Sequence, residues 1–424
     1  MKFILMHRTQ RSSRWACGSV ATATFALVTL AACDGAPANV ASGVGSPTVL
    51  QASEVHVIGT SESIAVVEDL TVLSDGTVWV LNSVEPFFVG FGPDGDVLQV
   101  HGSRGGGPEE FRAPAGFVSG DIDGEAWVFD PIRHALIRIS KPGTWSEISL
   151  PTDSTPRGTL RGGMGFMNSR VRTARLGDEI ILARSFALFI PGQIFSFWLS
   201  TWGADLVAVD PATASARGVV SLGEVLGDPT EYLEQTNGFP PFPVWLRLWS
   251  VCSDTQIRVH DRLRNQVRNF TRDGTELDPT PLPPPHFTEV TDEQFARAVF
   301  ALSFAEAAGE VGAQGSPADS ARVLNELVQG VEGEPEQLAG FLPRYVDMRC
   351  ADDGTLWIQP IDIDLGDLRG GHAWLRITQD GVAQEIHFPN RFDVYRFISG
   401  RIWGVQRDEF DVASVAWIEV PGSR

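Results

Sequence analysis

The residues with the most specific chemistry are eight histidines and four cysteines in a chain of 424. Beyond the N-terminal leader described below, the histidines fall at His56, His101, His134, His260, His286, His372 and His387. No two have the HxxH, HExxH or HxH spacing that puts paired imidazoles on one helix or hairpin, so the chain carries no local zinc motif. Distant histidines could still converge through the fold; scatter over strands and loops is the expectation. Two carboxylate groups, Asp121-Ile122-Asp123-Gly124-Glu125 and Asp362-Ile363-Asp364-Leu365-Gly366-Asp367, have calcium-loop spacing. Neither completes the twelve-residue loop with its terminal Glu. The first doubles as a hairpin turn, and the second is the one candidate divalent-cation site, so no cofactor is expected apart from such a cation. Gly102–Gly107 lacks the GK[ST] ending of a phosphate loop and lies between two β segments rather than before a helix. There is no GxSxG, and no Ser or Cys stands beside a readable His/Asp partner, so no catalytic residue is assigned. Cys252 and Cys350 lie outside any C-x-x-C; they are either a disulfide pair or two buried thiols.

The elements that must position these residues show themselves as a repeat. Asp75-Gly76-Thr77-Val78-Trp79-Val80 recurs as Asp123-Gly124-Glu125-Ala126-Trp127-Val128 and as Asp353-Gly354-Thr355-Leu356-Trp357-Ile358. Weaker copies begin at Gly177, Asp254 and Ser399. Each is a tight turn feeding a β-rich strand, because Asp-Gly supplies the positive φ that a two-residue hairpin needs. Second turns at Asp94-Gly95, Asp273-Gly274 and Asp380-Gly381 close strands such as Phe87–Phe91, Val267–Phe270 and Trp374–Ile377. Four antiparallel strands per copy and six copies predict an all-β, six-bladed β-propeller over residues 48–424.

Two intervals between copies are too long for a blade. Residues 185–245 read as an aromatic, Gly/Pro-rich loop insertion, with Phe186–Trp202 either a lip for a partner or folded back as core. Residues 286–342 read as a helical hairpin: Thr291-Asp292-Glu293-Gln294 is a capping box before Phe295, Val299 and Leu302. A second helix starts at Ser316-Pro317 and stops at Gly330. The last copy ends in Val415–Val420 with no outer strand left, so Val55-His56-Val57-Ile58 is expected to complete it and close the ring.

The first 32 residues stand apart. Lys2, Arg8, Arg11 and Arg14 precede an apolar run that ends in small residues, the pattern of a secretory signal. Leu30-Ala31-Ala32-Cys33 resembles the lipobox of bacterial lipoproteins, which implies cleavage before Cys33 and lipidation of its thiol. Residues 33–47 have the small, Gly/Pro/Ser-rich composition of a flexible tether. The expected location is the bacterial cell envelope, on the inner or outer membrane, with the domain outside the cytoplasm. The full chain has net charge −20; loss of four basic leader residues leaves 29 against 53 acidic ones, or −24. That acidity, with no dense basic stretch, excludes nucleic acid as the expected partner.

Phe111-Arg112-Ala113-Pro114, then Asp121–Asp130, Arg133 and Leu136-Ile137-Arg138-Ile139, resemble an NHL-type repeat. The mature chain as a whole is similar to bacterial lipoproteins known as six-bladed β-propeller proteins, a family without a settled activity. The resemblance implies the fold and leaves the function to the site. Propellers bind at the channel mouth, where residues just after each repeat motif would gather: Asn82, Asp130, Arg133, His134, Asp261, Arg262, Asp362, Arg407 and Asp408. A ring of Arg and Asp could receive a polar or charged ligand; the same residues also suit strand capping and pairing across blades. The function expected is a non-catalytic binding module for a ligand or protein. The alternative is a metal-dependent propeller hydrolase or lactonase with its site at that mouth.

Overall fold

The computed structural model describes residues 47–421, apart from 53, 120–123, 140–145, 151–171, 185–204, 227–247, 263, 285–286, 299–334, 336–338, 340–341, 363–372 and 379–380. After β1 (Thr48–Gln51) and β2 (His56–Thr60) comes the run β3 (Val67–Val72), β4 (Val78–Asn82), β5 (Phe88–Phe91) and β6 (Val97–His101). A short parallel ribbon of β7 (Ser103–Arg104) and β8 (Glu110–Phe111) leads to β9 (Gly116–Ser119), β10 (Trp127–Asp130), β11 (Ala135–Arg138) and β12 (Ser146–Ser149). Next are β13 (Thr173–Leu176), β14 (Glu179–Arg184), β15 (Asp205–Asp210) and β16 (Ser215–Ser221), then the one-turn helix α1 (Leu222–Leu226). The run β17 (Trp249–Cys252), β18 (Gln256–Asp261), β19 (Gln266–Thr271) and β20 (Glu276–Pro281) precedes helix α2 (292–298). The chain ends with β21 (Tyr345–Cys350), β22 (Leu356–Pro360), β23 (Ala373–Ile377), β24 (Ala383–His387), β25 (Phe392–Ile398), β26 (Arg401–Arg407) and β27 (Ala413–Glu419).

Four sheets are separate blades of a propeller-like arrangement: β3–β6, β17–β20, β21–β24 with β1 added outside β24, and β25–β27 with β2 added outside β27. An eight-stranded sheet joins the runs β9–β12 and β13–β16 through the parallel pair β9–β13, Thr173 facing Val118. The innermost strands touch in the order β3, β9, β13, β17, β21, β25, and β25 returns to β3.

The turns form where the sequence requires them. Gly76, Gly124, Gly177, Gly354 and Gly400 all have positive φ, as do Gly95, Gly274 and Gly381 of the second turns. Asp75 and Asp353 each accept the N–H two residues on, from Thr77 and Thr355 at 2.8 Å, which fixes the hairpin. The copy at Asp254 has no glycine, and Ser253 takes the positive φ of 63° instead.

The core lies in the seams between neighbouring runs. Trp79 packs with Phe111, Phe117 and Val128; Trp127 with Ile180, Leu182 and Val207; Trp357 with Phe397 and Ile402; Trp403 with Val78 and Val80. Each buried tryptophan removes on the order of 200 Å² from water, at most about 5 kcal/mol of hydrophobic stabilisation. A sheet whose two faces are both covered in this way can be stable only as part of the assembly.

The N-terminal strand pairs as expected: β2 lies antiparallel to β27, His56 facing Trp417. Unforeseen is β1, which adds a parallel fifth strand to the outside of β24, Thr48 facing Gln384. The segment read as a loop insertion holds β15, β16 and α1. Its Leu206-Val207-Ala208-Val209 stretch is fully buried, a strand signal that the surrounding aromatic and Gly/Pro-rich composition obscured. The capping box at Thr291 is formed in both directions: Gln294 N–H donates to Thr291 Oγ1 at 3.2 Å, and Thr291 N–H to Gln294 Oε1 at 2.9 Å. Phe295 and Ala298 pack into the cluster with Leu248 and Tyr345. The second helix of the expected hairpin, the aromatic stretch Phe186–Trp202, the leader and the tether lie outside the described residues. Among the described residues, no helix is long and apolar enough to cross a membrane.

Candidate functional site

The channel enclosed by the innermost strands holds a cavity of about 620 Å³. Its rim is made by the turns that follow those strands, including Ser74, Asp254, Asp352 and Ser399. Charged residues of the innermost strands line the cavity, Glu68, Asp69, Arg175, Asp347, Arg349 and Arg396, together with Arg172 just before β13. Phe117, Trp249, Phe397 and Trp403 supply apolar wall.

Hydrogen bonds tie these groups into a belt that touches every innermost strand. From β9, Phe117 N–H donates to Asp69 Oδ2 on β3 at 2.8 Å, and Arg396 Nη2 of β25 donates to the same oxygen at 2.7 Å. The Tyr395 carbonyl accepts from Arg396 at 3.1 Å and also from Arg349 Nη1 of β21. Arg349 grips Asp347 Oδ2 through Nε and Nη2 at 3.2 and 3.1 Å. Arg172, one residue before β13, then reaches Asp347, the Met348 carbonyl and, at 3.0 Å, the Trp249 carbonyl of β17. Outside the belt, the Tyr395 hydroxyl donates to the Val67 carbonyl at 3.0 Å. The Ser250 hydroxyl accepts Cys350 N–H at 3.0 Å, and Cys252 and Cys350 are disulfide-bonded with Cα atoms 5.1 Å apart. Burial pulls Arg396 below the ordinary arginine value, opposed by Asp69 beside it.

The residues singled out after each repeat motif have other partners. Asn82 accepts Ala65 N–H and donates to the Ser63 and Pro86 carbonyls. Asp130, fully buried, accepts N–H groups from Arg112, Ala113, Ile132 and Arg133. Arg133 donates to the Gly107 and Glu110 carbonyls and pairs with Glu147; His134 holds a positive φ in the next turn. Asp261 accepts from Arg264 and Gln266, and Arg262 donates to the Leu342 carbonyl. Arg407 pairs with Asp393 and Asp411, while Asp408 caps the turn through Phe410 and Val412 N–H. Asp362 follows β22, and the rest of its candidate cation loop lies outside the described residues. These polar atoms serve turns and caps, whereas the cavity lining comes from the strands before the Asp-Gly turns.

The belt had one readable signal. Asp69 and Asp347 each precede the Asp of an Asp-Gly turn by six residues, at Asp75 and Asp353, and so repeat the same channel-facing position. Arg172 shows no such pattern.

The Gly102–Gly107 connection closes on itself. Glu110 Oε2 accepts Gly106 and Gly107 N–H at 2.8 and 2.7 Å, so this chain's own carboxylate fills the position an anion would take. The described histidines are scattered. His56 stacks on Trp417 at 4.2 Å, His101 lies against Trp79 and Phe88, and His387 pairs with Glu385. Among the described residues, no group of three His, Cys, Asp or Glu is placed to hold a metal ion.

His260 is buried against Tyr345, and neither ring nitrogen has a hydrogen-bond partner. Burial, reinforced by Arg262 and Arg344, pushes its pKa down from 6.5 to about 3. Below pH 6.5 the unfolded chain therefore binds a proton that the folded chain refuses. Stability from this group is complete above pH 6.5 and falls toward pH 3 by up to about 1.4 kcal/mol per pH unit, about 2 kcal/mol by pH 5. Urea unfolding at pH 7 and pH 5 should show that loss in the native chain and little of it in His260→Gln. Equal losses in both chains would remove the assignment.

No family model and no curated protein match the chain. Among solved structures, the chain is similar to a member of the DUF4221 family from Bacteroides vulgatus, at 10% identity and TM-score 0.51 over 87% of this chain and 96% of that one. It is also similar to virginiamycin B lyase from Staphylococcus aureus, at 14% identity and TM-score 0.38 over 85% and 87%. A third likeness is to the calcium-binding protein regucalcin from Agrobacterium tumefaciens, at 11% identity and TM-score 0.41 over 88% and 96%. These neighbours are β-propeller-like proteins. At such identities the likeness bears on fold alone, and the first of them agrees with the propeller-like arrangement.

Proposed function

We propose that this protein is a lipid-anchored, extracytoplasmic, six-bladed β-propeller that binds a small polar ligand in its central channel. The observation that carries the reading is the cavity of about 620 Å³, the size of an ordinary small-molecule site, with the arginine–aspartate belt beside it. The count of six takes each innermost strand as one blade, the eight-stranded sheet supplying two, and is supported by the cyclic contact order. Proteins of this shape present fixed side chains from several blades to one point, which favours recognition.

A metabolite library scanned by thermal shift tests the site. A compound that raises the melting temperature of the native chain should lose its effect in Ser119→Trp, which fills the cavity from the end of β9. Retained stabilisation would place binding elsewhere. Metal analysis of the purified protein with an ester and lactone screen tests the hydrolase alternative: stoichiometric divalent metal with turnover would replace the binding reading. For the anchor, Cys33→Ser should move the protein from the membrane fraction to the soluble one, and continued membrane retention would refute lipidation.

A further inference from the structure

We propose that the channel cavity takes a small organic carboxylate of low charge, received by Arg396 together with Arg349. This rests on the binding reading above and names its ligand class. Asp69 already accepts the backbone N–H groups of Leu70 and Phe117 besides Arg396. Asp347 already accepts Met348 N–H at 2.6 Å besides Arg172 and Arg349. Backbone donors thus take up carboxylate capacity that the guanidinium groups would otherwise use.

Arg396 is the residue left short. Of the five N–H groups of a guanidinium, it donates one from Nη1 to the Tyr395 carbonyl and one from Nη2 to Asp69. Its Nε is buried without a hydrogen-bond partner. That nitrogen is closed to the cavity as well, but the side chain is 12% exposed in the cavity lining and keeps a second N–H on each of Nη1 and Nη2. A guanidinium does not shed its proton, so an acceptor in the cavity is the way to satisfy these two. Arg349 shares the Tyr395 carbonyl with Arg396 and lines the same cavity. The Nε–Nη2 edge of Arg349 is engaged by Asp347, so the Nη1–Nη2 edge of Arg396 is the planar fork that matches the two oxygens of a carboxylate, with Arg349 as the neighbouring positive charge. Phe117, Trp249, Phe397 and Trp403 offer apolar surface to the carbon skeleton that carries it. Glu68, Asp254 and Asp352 share the lining with Arg175 and Arg401, so arginines and carboxylates balance there and the cavity has no net positive charge to favour a polyanion.

Titration calorimetry on the full mature protein with matched probes tests this: benzoate against benzamide, mandelate against mandelamide, and citrate as a polyanion. At least one carboxylate should bind about tenfold or more tightly than its amide, the effect of one charge-assisted hydrogen bond, and citrate should not exceed it. Arg396→Lys keeps the charge opposite Asp69 but loses the fork. It should retain the circular dichroism spectrum and melting behaviour while losing the preference for the carboxylate. Amides binding as well as acids would overturn the carboxylate proposal and leave the cavity reading intact. Silence from every probe overturns it too: a library compound blocked by Ser119→Trp then preserves the cavity reading, and failure of both experiments removes both.

Discussion

Replacing Asp347 by Ala is expected to lower the unfolding free energy by about 3–5 kcal/mol, the usual cost of breaking a buried ion pair from one side. Asp347 holds two guanidinium groups, Arg172 and Arg349, with side-chain exposures of 10%, 17% and 16%. Removing it takes from both arginines the carboxylate they share in the channel wall, and neither can neutralise itself by losing a proton. The loss should fall mainly on the contacts that Arg172 and Arg349 make between neighbouring innermost strands. Denaturant unfolding of Asp347→Ala measures the total. The double variant Asp347→Ala with Arg349→Met, which removes one stranded charge and keeps apolar bulk, should recover part of it. A single-mutant loss below about 1 kcal/mol would mean that water screens the belt as it screens surface pairs, and the belt would not be a structural element.

Reduction of Cys252–Cys350 is expected to have a comparable effect. The bridge spans a sequence separation of 98, and the chain-entropy model gives about 4.7 kcal/mol for closing a loop of that size. Measured losses for native disulfides run to about 2–5 kcal/mol. The bridge ties the ends of β17 and β21, beside the Ser250–Cys350 contact and the carbonyls that hold Arg172. It crosses the seam where the chain between β20 and β21 departs for α2, so the two strands are joined from the side while the connection between them is long. Unfolding with and without dithiothreitol, or of the Cys252→Ser, Cys350→Ser double variant, should show a lower midpoint with an unchanged two-state transition. Equal midpoints would argue that the seam is held by packing alone.

These two effects share a location, and that location shows where reading from sequence stops. The hairpin turns were legible because the chemistry is local: Asp-Gly at 75–76 or 353–354 dictates a positive φ and a side-chain hydrogen bond two residues on. The seam tryptophans were legible because they recur at one strand position. The capping box at Thr291 needs only a four-residue span. The strands β15 and β16 were missed because the composition around them resembles a loop, and only pairing with β14 distinguishes a buried strand there. The parallel addition of β1 to β24 was unreadable, since four residues carry no register of their own.

The channel belt depends on separations that no pattern encodes. Arg172 and Asp347 lie 175 residues apart, and Arg396 and Asp69 lie 327 apart. The residues that follow each repeat motif looked like binding groups because their types suit a ligand; their N–H and carbonyl partners are supplied by neighbouring turns, which the sequence does not reveal. By itself, then, the sequence determined the repeating strand unit, its turns and the closing partner of the last repeat. All of these follow from short-range sterics and hydrophobic periodicity. The tertiary structure alone decided which charged side chains meet in the channel, because ring closure brings the innermost strands together regardless of their distance along the chain.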